Sequence, residues 1–242
     1  MMMNDPAITA RTRETERRLA LLFASETPFS ARLSKWSDPL LPDKYDHNCF
    51  SFGSTPPEAA EIEAAKAFQL AHGDRFLKLE GDVPLPQTGG LKESLTLTMV
   101  LCVGCDGWKT NPAVTVRKPV LPALEDLEVR AFGGIWGEDF CRRNIRRLYD
   151  KLDYHGAYLG DTLAGACYSF SFDGCTCIDG LLVDAAFRKQ YVATTLLQAV
   201  AAAHQNETVF LHADADDTPK TMYEALGFRV MDRVYEYLRT DL

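Results

Sequence analysis

The chain has 242 residues, 46% hydrophobic and 25% charged, enough for one large domain or two small ones with a substantial core. A formal charge of −8 argues against a nonspecific nucleic-acid binder, which needs a dominant positive field. No apolar run is long enough to span a bilayer, and the opening MMMNDPAITARTRETERR lacks a signal peptide's apolar core, so neither a membrane nor an export route is expected and the location is read as cytoplasmic.

In chain order, LPDKYDHNCF gathers Asp43, Tyr45, Asp46, His47 and Asn48. These could contact a ligand, but the reading is a loop held by its own side-chain-to-backbone bonds. TPPEAAEIEAAKAFQLAHG predicts an amphipathic helix, with Thr55 as N-cap, Glu58 three residues later, Pro57 in the first turn and Gly73 at the end. Ala59, Ile62, Ala65 and Phe68 fall on one face of it. RFLKLE alternates as a strand, and LTLTMVLCV reads as a more buried one. Prolines thicken between Thr110 and Pro122, which predicts a junction between an N-terminal α/β module, residues 1–120, and a C-terminal domain, residues 121–242.

Seven cysteines are scattered, with close pairs only at Cys102–Cys105 and Cys175–Cys177. Both pairs lie in strand-like sequence with no histidines clustered near them, so they are read as reduced structural thiols and no metal is expected.

GEDFCRRNIRRLYDKL predicts a helix with Phe140, Ile145, Leu148 and Leu152 as its apolar face. Its basic quartet, Arg142, Arg143, Arg146 and Arg147, could reach an anion but reads as a solvated face. AYLGDTLAGACYSFSFDGCTCIDGLLV divides into three strands, broken at GDT and at the hairpin signal Asp173-Gly174. QYVATTLLQAVAAAHQ is a helix burying Ala193, Leu196, Leu197, Val200 and Ala201, and TVFLHA is the next strand. DTPKTMYEALGF is a short helix with Thr218 as cap, Pro219 at its first position and Gly227 as its stop. FRVMDRVYEYL closes the chain as a strand.

Within this half, VDAAFRKQYVATTLLQAV carries the chemistry. A strand that feeds a helix through a tight turn aims unpaired backbone N–H groups at one point, and the helix dipole adds positive potential there. Such amides do not depend on side-chain identity, so residues 189 to 194 could hold a diphosphate without glycine, with Arg188 and Lys189 adding charge. Tyr191 either keeps a helical backbone with its ring directed away, or blocks the cradle; the working loop is the expectation.

The order helix, three antiparallel strands, helix, strand, helix, strand resembles the GCN5-related N-acetyltransferase (GNAT) family. Arg188-Lys189-Gln190-Tyr191-Val192-Ala193 is similar to its Q/R-x-x-G-x-G/A signature, with Tyr191 in place of the central glycine. MYEALGF (Met222 to Phe228) is close to its YEKLGF ending. The resemblance spans roughly residues 120 to 242. It implies an α/β fold with a central mixed, mostly antiparallel sheet flanked by helices, preceded here by a smaller α/β module that could be a diverged second lobe. It implies acetyl-CoA as cofactor, bound by Arg188, Lys189, Gln190, Tyr191, Val192, Ala193 and Thr194, with the main chain around Leu182 and Val183 pairing the pantetheine arm. Tyr223 would protonate the departing thiolate, the alternative being a core anchor. Asp179 would be the base for the incoming amine, or simply face solvent. Asp216 replaces an asparagine that contacts the cofactor in relatives; it would bind the pantetheine amide or help cap the last helix with Asp217 and Thr218. The implied activity is acetyl transfer to a primary amine of a small molecule or peptide by direct attack on the thioester. A noncatalytic acyl-CoA sensor or scaffold, favoured by the missing glycine, and a transferase of longer acyl chains are the other readings. Relatives are frequently dimers, so a homodimer is an expectation too.

Overall fold

A computed structural model of the chain describes residues 5–242, so Met1 to Asn4 of the N-terminal segment read above lie outside it. The described strands form one eleven-stranded mixed sheet. Its order is β1 (Ser25–Pro28), β2 (Ser34–Ser37), β3 (Phe50–Phe52), β4 (Leu77–Gly81), β11 (Phe228–Arg239), β5 (Lys92–Leu101), β10 (Thr208–Asp214), β9 (Cys175–Val183), β8 (Thr162–Phe172), β7 (Asp153–Leu159), β6 (Val114–Arg117). All neighbours are antiparallel except β3–β4 and β9–β10. Each parallel pair is joined by a crossover helix, as parallel strands require: α2 (Ala59–Ala71) and α5 (Val192–Ala203).

The order reads the same way outward from its centre. From β11 the sheet runs β4, β3, β2, and from β5 it runs β10, β9, β8. The last strand of each half sits beside the other half's parallel pair: β5 follows β4 in sequence but pairs β10, and β11 follows β10 but pairs β4. The two halves are therefore stitched through exchanged strands, with β5 and β11 paired from Phe228↔Leu101 to Leu238↔Lys92.

Alternation along the strands separates two cores. On one face α5 packs Leu196, Leu197 and Val200 against Met99, Ile178 and Leu211. On the other, α3 (Leu121–Trp136) and α4 (Glu138–Tyr149) pack Leu124, Leu127, Ile145 and Leu148 against Tyr154, Tyr158 and Leu163. α1 (Pro6–Leu21) touches β8 and β9, and its buried residues are Thr12 and Thr15 rather than an apolar stripe. Its polar side chains tie it down: Arg13 Nε lies 2.5 Å from Asp232 and Nη1 2.6 Å from Asp82, and Glu16 reaches His212 of β10 at 3.2 Å.

Sequence reading had placed no element at α1, α3, β1–β3 or β6. α3 was masked by Pro122 in its first turn and by Gly133-Gly134 near its end. The proline-thick junction contains β6. α2 begins one turn later than expected, with Glu58 as N-cap and a capping box formed with Glu61, because Pro56 and Pro57 keep the chain extended. Cys49, Cys105, Cys141, Cys167, Cys175 and Cys177 are buried free thiols, and Cys102 is exposed. Among the described residues no helix is long and apolar enough to cross a membrane.

The loop before β3 is closed by its own side chains, as read. Asn48 Oδ1 accepts from Asp38 N at 2.9 Å, and its Nδ2 donates to the carbonyls of Leu41 and Lys44. Three arginines of the α4 quartet pair with surface or helix carboxylates. The fourth, Arg147, instead crosses to the first half, where it donates to the fully buried Asp38 and to the Phe23 carbonyl. His47 Nδ1 lies 2.9 Å from the same carboxylate. Burial, and then Lys44, depress the His47 pKa to about 4. The unfolded chain therefore binds more protons between about pH 6.5 and 4, and this site withdraws about 1.4 kcal/mol of stability per pH unit as pH falls through that window. Urea midpoints at pH 7 and pH 4.5 should show the loss, and His47→Gln should flatten it; an equal slope in the variant would remove His47 as its source.

Candidate active site

β9 ends at Val183, and Asp184 turns the chain by accepting from Ala186 N at 3.0 Å while Arg130 Nε holds its other oxygen at 2.9 Å. Lys189 and Tyr191 then adopt left-handed backbone, φ +60° and +59°, and α5 starts at Val192. Tyr191 thus does not stay helical: it adopts the conformation that glycine supplies without a Cβ penalty, a strain of order 1 kcal/mol or more. The segment after β5 offsets it. Lys109 Nζ stands 4.5 Å over the Tyr191 ring, Asn111 Nδ2 donates to the Gln190 carbonyl, and Thr195 Oγ1 bridges the Tyr191 carbonyl and Asn111 N. The ring lies at the rim, 43% exposed, and leaves a hollow of about 380 Å³ bounded by Phe187, Arg188, Lys189, Tyr191, Ala193 and Met222. No side chain caps α5, so the amides of its first turn have neither a helical carbonyl nor a capping oxygen.

Uphill of the hollow the sheet opens. The β9–β10 ladder ends at Ile178↔Leu211; beyond it β9 pairs only β8 and β10 pairs only β5. Asp184 N bonds back to Ala164 of β8, and the Leu182 carbonyl lies against Gly165 of β8. Alternation therefore turns the Val183 main chain, not that of Leu182, toward the opening, which narrows the expected pair to Val183. An extra residue in β9 across from Cys167 marks a bulge, and Gly180 within it has φ +61°. The Tyr168 ring packs against Gly180, and its hydroxyl donates to Asp179 Oδ2 at 2.6 Å while Gly180 N donates to Oδ1 at 2.7 Å. Gly180→Ala would put a methyl 2.7 Å from that ring on left-handed backbone. We expect a loss of about 2–4 kcal/mol in denaturant unfolding together with the Tyr168–Asp179 contact. A neutral change would mean that the ring moves aside freely.

The wedge holds a cavity of about 270 Å³ walled by Asp179, Leu182, His212, Tyr223, Glu128 and Phe132. It brings together Tyr223 and Asp179, 44 positions apart in sequence. Tyr223, only 7% exposed, sits edge-on to Phe228, and its hydroxyl has no hydrogen bond among the described residues. Burial, then the Asp179 charge, push its pKa up to about 12; the same two causes hold Tyr168 well above the ordinary phenol range. Burial lowers the His212 pKa, but the Glu16 carboxylate overcomes this and holds it well above the ordinary value. Asp216 is exposed at the β10-to-α6 (Pro219–Ala225) turn, where its N–H bonds to Asp214. It does not cap α6, and neither does Asp217, which accepts from Thr218 N just ahead of the helix.

A second compartment of about 240 Å³ shares Glu128 and Phe132 with the wedge. The α3–α4 elbow supplies Trp136 and Phe140, stacked at 5.6 Å, and the first half supplies Lys44, Tyr45 and Asp46. Glu128, Phe132 and Trp136 were missed because α3 was missed; His212 carried a signal, as the one titratable residue of the strand TVFLHA. Asp46, Glu80 and Glu236 also converge, as a metal site would, but the Lys78 ammonium already stands among them, 2.8 Å from Glu80 and 2.9 Å from Glu236.

Residues 121–228 match the acetyltransferase (GNAT) family. No curated protein matches the chain in sequence. Among solved structures, a conserved protein of unknown function from Staphylococcus epidermidis is 19% identical with a TM-score of 0.76, over 90% of this chain and 95% of that one. A GCN5-related N-acetyltransferase from Kribbella flavida is 13% identical with a TM-score of 0.60, over 94% of each chain. A tandem GNAT protein from the clavulanic acid biosynthesis pathway is 15% identical with a TM-score of 0.54, over 74% of this chain and 68% of that one. At these identities the likeness is one of fold.

Proposed function

With residues 121–228 matching the acetyltransferase (GNAT) family, we propose that the chain is an acetyl-CoA-dependent N-acetyltransferase acting on a primary amine. One observation carries the reading. An uncapped helix N-terminus beside two basic side chains stands next along β9 to the parted strand pair whose cavity holds a buried phenol and a carboxylate, Val183 and Met222 of the one adjoining Leu182 and Tyr223 of the other in sequence.

The residues fit the cofactor. The amides of Val192, Ala193 and Thr194, with Arg188 and Lys189, would receive its diphosphate, and the open Val183 main chain its amide-bearing arm. When bound, that cofactor supplies an activated acetyl thioester. Asp179, oriented by Tyr168 and by Gly180 N, would take the proton from the incoming ammonium, directly or through water. A β9 backbone N–H would stabilise charge on the carbonyl oxygen. As the new C–N bond forms and the C–S bond breaks, Tyr223, kept protonated at neutral pH, would give its proton to the thiolate, and the proton that the acylated nitrogen sheds would return to the phenolate directly or through water.

The first half reads as a diverged second lobe without its own cofactor site. β3-α2-β4 repeats the β9-α5-β10 arrangement, but the N-terminus of α2 is filled by the Glu58 and Glu61 carboxylates, which would repel a phosphate. Calorimetry with acetyl-CoA should therefore give one site per chain, and an amine panel should release free CoA. Two sites would reinstate the first lobe; no heat at millimolar acetyl-CoA would sink the whole reading. Tyr191 in the glycine position favours the second reading, a noncatalytic acyl-CoA sensor, which predicts binding without thiol release from any amine.

A further inference from the structure

The second compartment narrows the acceptor. Resting on the reading above, we propose that the acceptor is a primary amine borne on an aromatic or apolar body, its ammonium received by Glu128 and its body by Tyr45, Phe132, Trp136 and Phe140.

Position is the first argument. Glu128 and Phe132 line both this compartment and the wedge, so the two cavities adjoin and a molecule resting here lies next to the Asp179–Tyr223 end. The walls are the second. Trp136 is 46% exposed while stacked on Phe140, and Tyr45 stands 6.1 Å from it and 4.6 Å from Phe76. These rings pack on one another, and the exposed part of Trp136 leaves stacking area for a guest. A polyhydroxylated or multiply charged amine would leave polar groups unpaired against it.

Charge is the third. Glu125, one helical turn earlier, is held by Arg142 and Arg146. Glu128 makes no hydrogen bond or ion pair among the described residues, and burial raises its pKa with only Lys44 opposing. The Lys44 ammonium, on the facing wall, is turned to Asn144 Oδ1 at 3.2 Å. A half-buried carboxylate without a partner, one wall from the reacting groups, is suited to a single cation.

The test measures free-CoA release with 2-phenylethylamine, spermidine and glucosamine. The expected kcat/KM for 2-phenylethylamine exceeds both others by at least about tenfold, and Glu128→Gln and Trp136→Ala each raise its KM about tenfold while lowering kcat less than threefold. A preference for either polar amine, or an unmoved KM in both variants, overturns the inference and leaves acetyl transfer standing. If none of the three amines is turned over, calorimetry of 2-phenylethylamine on the CoA-saturated protein decides. Binding that Glu128→Gln abolishes supports the inference; no binding overturns it. Failure of acetyl-CoA itself to bind is a different result and strikes the parent reading.

Discussion

Ala193→Glu should weaken cofactor binding about thirtyfold or more while slightly stabilising the fold. Ala193 is the second residue of α5, part-exposed at the wall of the hollow beside Arg188 and Lys189. A carboxylate there interacts favourably with the helix N-terminus, by about 0.3–1 kcal/mol, so the melting temperature should hold or rise. The same carboxylate would stand where a diphosphate belongs. Two like charges about 4 Å apart at an effective dielectric constant near 20 repel by about 4 kcal/mol. Even halved by screening, that weakens acetyl-CoA by more than about thirtyfold. The opposite signs make the result diagnostic: a misfolded variant would lose stability and binding together. Retained affinity would place the cofactor elsewhere.

Tyr223→Phe carries the second large effect, on turnover instead of affinity. The variant keeps the ring edge-on to Phe228 at 6.0 Å and removes a hydroxyl that bonds to nothing among the described residues, so its stability should lie within about 1 kcal/mol of the parent's. Its acetyl-CoA affinity should be unchanged. If the phenol is the proton donor, kcat falls by about 10²–10⁴. Because burial and Asp179 hold that phenol's pKa up at about 12, the donor stays loaded across the neutral range, and the parent should show no loss of rate on its account up to about pH 10. Unchanged turnover in the variant would make Tyr223 a core anchor.

The second half of the fold was legible because its signals are local. Period-two strands, the Asp173-Gly174 turn, the Pro219 start and the Gly227 stop each act over a few residues, and each stands where it was read. The strand-to-helix turn at 188–194 was legible for the same reason, although the left-handed backbone of Tyr191 was not. The bulk of tyrosine argues for helical φ, and only the support of Lys109 and Asn111, some 80 residues upstream, holds it otherwise. α1 escaped notice because it is buried through threonines and arginine–carboxylate pairs, which leave no apolar period to count. Arg147 was assigned to a solvated face on pattern alone, when its partner, Asp38, lies 109 positions away.

What the sequence by itself determined is the run of elements from the α4 segment to the C-terminus and the tight turn at 188–194 that feeds α5, since turn chemistry, caps and hydrophobic period are set by residues that are neighbours in the chain. Only the tertiary structure decided three further things. They are the exchange of β5 and β11 between halves, the parting of β9 from β10 that brings Asp179 and Tyr223 to one cavity, and the meeting of α3 with the Lys44–Asp46 loop around Glu128. Those depend on which distant surfaces bury each other best, a balance of packing and desolvation summed over the whole sheet that no local spacing records.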